Sequence, residues 1–171
     1  SSMLYHFAWH EVCDWYIEFI KPALYNDGGN GAKQRKAAQA VLLHTLESVL
    51  RLMHPAAPFI TEDIWQALPK GSDAPESLMI APWPEAQPEA EFADAANAVD
   101  LLIAVITQIR AIRGETRVKP SVVIDTVYFS TGATEQKYLE EGTPYIQRLG
   151  KIEALKFVTR EESAALEHAA T

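Results

Sequence analysis

Apolar residues recur along most of this chain at spacings of three and four, and give way near its end to a run of β-branched and aromatic residues. Residues 3–26 predict a first helix with Tyr5, Phe7, Trp9, Trp15, Tyr16 and Phe19 distributed on every side. A helix apolar all round belongs inside a bundle, so its neighbours are expected upstream of the chain's first residue. Residues 26–31, Asn-Asp-Gly-Gly-Asn-Gly, break it with turn-formers. A second helix over 32–54 carries Leu42, Leu46, Val49 and Met53 on one stripe. His54-Pro55 ends it, because proline disfavours helical geometry in the residue before it. Pro58 suits the first turn of a third helix over 59–68, with Ile60, Ile64 and Leu68 facing inward.

The proline-rich stretch 69–88 reads as a surface connection in which Leu78, Met79, Ile80 and Trp83 are pinned against the bundle. A fourth helix over 89–113 has the stripe Val99, Leu102, Ile106 and Ile109, and Gly114 stands where a left-handed C-terminal cap would go. Then the pattern changes. Residues 122–129 and 152–158 read as strands, with short helices at 134–141 and 144–149 between them, Thr143 capping the second with Pro144 at its first position. A crossover of that length permits a parallel β-α-β unit. Two strands alone are marginal, so partner strands are expected beyond residue 171. The fold class expected is therefore mainly α: an antiparallel helical bundle over 3–117, a small, truncated β-α-β element over 118–160, and a tail over 161–171.

Bulk properties narrow the functional classes. The 171 residues carry 15 Lys+Arg against 23 Asp+Glu, a net charge of -8, so any affinity for nucleic acid must come from a local basic patch. The single cysteine, Cys13, excludes an internal disulfide and reads as a buried thiol on an apolar helix. No leader pattern opens the chain and no apolar run approaches about 18 residues, which points to the cytoplasm. His6 and His10 sit four apart, but a zinc site needs three or four ligands, so no metal site is expected. The adjacent pairs Glu62-Asp63, Glu140-Glu141 and Glu161-Glu162 point about 100° apart on helices and read as solvated faces. No nucleophile with a base and no phosphate-cradling glycine loop is present, so no catalytic residue is assigned. The four tryptophans Trp9, Trp15, Trp65 and Trp83 read as core at their helical spacing.

One segment departs from the acidic background. Arg110, Arg113, Arg117 and Lys119, offset by Glu115, give residues 104–119 a net charge of +3 and leave -11 on the remainder. Arg110 and Arg113 fall near the direction set by Val99, Leu102 and Ile106, as if the apolar stripe became a cationic one where the helix leaves the bundle. Cations near a helix C-terminus are also stabilised by the dipole, by about 0.3–1 kcal/mol, without any ligand. Arg51 and His54, at the end of the second helix, could extend such a patch.

Three segments carry a family resemblance. Glu11-Val-Cys-Asp-Trp-Tyr-Ile-Glu-Phe-Ile-Lys-Pro22, Leu50-Arg-Leu-Met-His-Pro-Ala-Ala-Pro-Phe-Ile-Thr-Glu-Asp-Ile-Trp65 and Ser77-Leu-Met-Ile-Ala-Pro-Trp-Pro84 resemble the C-terminal anticodon-binding region of valyl-tRNA synthetases, class I aminoacyl-tRNA synthetases. Ile109-Arg-Ala-Ile-Arg-Gly-Glu115 is similar to the turn that ends the family's long helix. His-Pro-x-x-Pro-Phe also fits the isoleucyl and leucyl relatives, whereas Cys-Asp-Trp-Tyr with Ala-Pro-Trp-Pro favours the valyl branch. The loop Thr116-Arg-Val-Lys-Pro120 is more basic than the family's usual hydrophobic-proline turn.

The resemblance implies recognition without catalysis. The two class I nucleotide signatures are absent, so ATP with Mg would serve only the parent enzyme, and this piece would need no cofactor. The implied partners are a valine-specific tRNA and the remainder of the synthetase, with no membrane and a monomeric chain. Arg110, Arg113, Arg117 and Lys119, helped by Arg51 and His54, would supply the electrostatic part of tRNA binding. The rival reading is a structural or protein-interaction helical bundle, whose basic stripe would lie against an acidic partner.

Overall fold

In a computed structural model the described residues are 2–25, 31–88, 91–159 and 162. They form α1 (Ser2–His6), a π-helical stretch (Phe7–Tyr16), α2 (Ile17–Leu24), α3 (Gly31–Met53), α4 (Pro58–Ala67), a 3-10 turn (Leu78–Ile80), α5 (Ala93–Glu115), β1 (Ile124–Phe129), α6 (Ala133–Glu141), α7 (Thr143–Gly150) and β2 (Ile152–Phe157). The chain is mainly helical with a small two-stranded parallel sheet. It divides into two compact units, Ser1–Pro88 and Glu89–Thr171. The division falls ahead of α5, whereas the sequence reading drew its boundary after residue 117. The interruption expected at 26–31 and the tail at 161–171 lie almost wholly outside the described residues.

In the first unit, helical backbone runs without a break from α1 through the π-helical stretch into α2, although Pro22 lies inside it. Its aromatic side is more open than the all-round pattern implied: Tyr5, Phe7 and Trp9 are exposed, Tyr5 and Trp9 stacking on each other, and Val12 is the buried residue. Cys13 is exposed, not buried as expected, because the π-helical stretch turns Val12 and not its neighbour inward. The core proper lies between α3 and α4, where Leu50, Trp65 and Leu78 are buried with Leu46, Leu68 and Ala81 packed around them. Of the apolar residues expected to pin the connection, only Leu78 does so. Met79 and Ile80 are exposed, since a single 3-10 turn buries one of its three side chains, and Trp83 beyond the turn is exposed as well. Ile60 and Ile64 are likewise exposed, and Thr61 and Trp65 form the inward face of α4 instead.

In the second unit, α5 buries Leu102, Val105, Ile106 and Ile109 and packs on α6 and α7. By length and composition alone α5 is apolar enough to span a membrane, but its stripe is the core face of this unit. Two glycines permit the close approach. A Cβ at Gly142 would lie 2.2 Å from Leu102 Cδ2, and one at Gly150 would sit 3.4 Å from Ile109. Strands β1 and β2 pair in parallel, Ile124 opposite Ile152 and Phe129 opposite Phe157, with α6 and α7 forming the crossover. Thr143 does not cap α7. Its hydroxyl turns back to the Leu139 carbonyl at 2.9 Å, so Gly142 takes the N-cap position.

Candidate nucleic-acid interface

The motif around His54 is built for folding. Pro58 occupies the first turn of α4, where its missing N–H costs nothing. Thr61 Oγ1 donates to the Ala57 carbonyl at 2.8 Å, which leaves the oxygen to accept from His54 Nδ1–H, also at 2.8 Å. Glu62 then reaches the long connection: its Oε2 accepts the Ser77 hydroxyl and the Leu78 N–H, both at 3.0 Å, and its Oε1 accepts Gln66 Nε2 at 2.7 Å. The Gln66 amide, the Leu78 N–H and the Ser77 hydroxyl hold the Glu62 carboxyl below its ordinary value. Glu62 is therefore a fastener, where the sequence pattern made it part of a solvated face.

Arg51 is similarly engaged. Its guanidinium lies over the Trp65 ring, 5.5 Å from the centroid, with Lys70 Nζ at 5.6 Å and Glu47 at 4.0 Å from Arg51 Nη2. Arg51 and Trp65 share a cavity of about 340 Å³ with Glu47 and Asp73, two carboxylates that oppose a phosphate there. His54 instead borders a second hollow, of about 400 Å³, with Phe59, Glu62, Asp63 and Met79. Arg51 and His54 are thus committed to internal contacts in different hollows.

The cations of the second unit do come together. Helix α5 runs past Gly114 to Glu115, and the left-handed residue that ends it is Arg117, at φ 56°, not Gly114. Val118 N–H bonds the Arg113 carbonyl at 3.0 Å and Arg117 N–H the Gly114 carbonyl at 3.1 Å, the pair of bonds that defines a Schellman cap. Residues 119–122 then turn, Val122 N–H closing on the Lys119 carbonyl at 3.0 Å with Pro120 at the position that favours its fixed φ.

Arg113 is the centre of this arrangement, and it is not accessible. The expectation of an open Arg113 is corrected: it is 7% exposed, and its guanidinium donates to the carbonyls of Lys119 (3.1 Å), Val122 (2.6 Å) and Lys151 (3.3 Å). The reason lies in the stripe itself. Positions 102, 106, 109 and 113 share one face, and α5 stays covered to its end, so the arginine on that face is buried with the rest. Arg110, Arg117 and Lys119 are exposed around it, Arg110 Nε donating to the Leu149 carbonyl at 3.1 Å. Among the described residues no cluster of three or more His, Cys, Asp and Glu side chains could hold a metal; His10 is instead bonded to Asp14 at 3.0 Å.

Residues 1–128 match the family described as the anticodon-binding domain of tRNA ligase, and the chain belongs to that family. It is 42% identical over 155 residues to a valine–tRNA ligase of Geobacter sulfurreducens, covering 91% of this chain and 17% of the relative. It is 39% identical to that of Bdellovibrio bacteriovorus over 91% of this chain and 17% of the relative, and 36% identical to that of Coxiella burnetii over 95% and 18%. The chain thus spans less than a fifth of the length of these relatives.

Proposed function

We propose that this chain is the anticodon stem-loop recognition module of a valine–tRNA ligase. The parent would join valine to its tRNA using ATP with Mg, in the cytoplasm, and this piece would supply recognition only. Its helices would belong to an antiparallel bundle of the class I type. The observation that carries the reading is the cationic edge at the end of α5, in a chain whose net charge is otherwise strongly negative. Arg110, Arg117 and Lys119 would neutralise loop phosphates, while unstacked anticodon bases, A and C at the middle and third positions, would be read by stacking and edge hydrogen bonds. Arg113 would act through the loop it holds, and Arg51 and His54, engaged in contacts of their own unit, would serve the fold instead.

The test is a filter-binding comparison of this chain with a valine-accepting tRNA transcript and the same transcript carrying a swapped anticodon. The reading expects weaker binding of the swapped transcript. Equal affinity for both would favour a structural bundle with non-specific charge.

A further inference from the structure

Nothing in the sequence pattern singles out Lys151, yet the fold brings it to the same edge. It is the left-handed residue, φ 53°, that ends α7. Its carbonyl accepts Arg113 Nη1 at 3.3 Å and Ile124 N–H at 3.0 Å, and its ammonium donates to the Pro120 carbonyl at 2.8 Å. One buried guanidinium therefore holds the backbones of both Lys119 and Lys151, so cations from the α5–β1 loop and from the α7–β2 turn share a neighbourhood. An ammonium has three donors, and the Pro120 carbonyl takes one, which leaves two for a phosphate oxygen. The carboxylate closest in sequence is Glu153, and neither it nor Glu115, on the neighbouring helix end, forms an ion pair with Lys151 among the described residues.

We propose that Lys151 extends the RNA-facing surface of Arg117 and Lys119 onto the α/β element, with the sugar-phosphate backbone as its ligand. Arg113 is the positioning residue that keeps the two lysine-bearing segments in register. The inference rests on the anticodon-module reading and deepens it, because it carries the contact surface onto the crossover element.

The left-handed backbone of Lys151 supplies a clean test. Lys151→Gly removes the charge while suiting the backbone, and Lys151→Asn is a second charge-free residue that tolerates it. Affinity of the whole chain for a valine-accepting tRNA transcript is measured against salt, beside Arg117→Glu, with urea midpoints for each protein. Both Lys151 variants should bind about three- to tenfold more weakly, with the log–log salt slope reduced by about 0.7–0.9, one phosphate contact. Their urea midpoints should equal or exceed that of the parent sequence. Unchanged affinity and slope in either Lys151 variant, while Arg117→Glu loses affinity, overturns this inference alone. Loss of affinity that tracks a lowered midpoint in both variants also overturns it, since Lys151 would then serve the fold. If the unaltered chain binds no tRNA, the anticodon-module reading fails and this inference with it.

Discussion

The two units fasten their connecting loops with charges of opposite sign. In the first, the Glu62 carboxylate gathers the Ser77 hydroxyl and the Leu78 N–H and so presses Leu78 into the core beside Trp65. In the second, the Arg113 guanidinium gathers three carbonyls and so fixes the loop between α5 and β1 against the turn before β2. The anionic fastener organises N–H and O–H groups and is only partly buried. The cationic one organises carbonyls and is buried. Only the second arrangement leaves cations facing outward, because a loop whose carbonyls turn toward a buried arginine is free to present Arg117 and Lys119 to solvent. The proposed interface follows that difference: Arg113, which holds the loop, is inside, and Arg117 and Lys119, on the segment being held, face solvent.

Breaking the buried fastener should have the largest effect. Arg113→Met removes hydrogen bonds from a charged donor to three carbonyls, each bond worth about 1.5–3 kcal/mol, so the second unit should lose about 3 kcal/mol or more of stability, read by urea denaturation. Crowding the helix contact behind it comes next. Gly142→Ala places a Cβ against Leu102, and the overpacking should cost about 1–3 kcal/mol. The open fastener is weaker and depends on pH. The folded Glu62 carboxyl lies below its ordinary 4.5, so its contribution is present above pH 4.5 and is lost as the pH falls through the folded value. All four tryptophans belong to the first unit, so tryptophan fluorescence follows that unit alone. Glu62→Gln should lower its urea midpoint near neutral pH and converge with the parent sequence in acid. The smallest effect should have the opposite sign. Arg117→Gly relieves a left-handed side chain and should stabilise by less than about 1 kcal/mol, while weakening tRNA binding.

Much of this was legible in the sequence. The stripe of α5, the proline at the start of α4 and the β-branched and aromatic run of β1 each specify an element through local geometry, and all appear close to their expected bounds. The proposed interface was only partly legible. Arg113 lies in register with Leu102, Ile106 and Ile109, a sign of burial that was available, but whether the helix end is covered depends on the distant turn at Lys151. Lys151 itself is invisible to any local pattern, because hydrogen bonds across 31 and 38 positions bring it to the site. Glu62 was masked for the same reason: its partners lie 15 and 16 residues away on a connection without period.

The most direct measurement is the salt dependence of binding between this chain and the isolated anticodon stem-loop of a valine tRNA, compared with the variant carrying Arg117→Glu and Lys119→Glu. The account predicts that the parent sequence binds with a steep slope and that the double variant loses about 1.4–1.8 units of it, two phosphate contacts. A double variant whose affinity and slope match those of the parent sequence would contradict it.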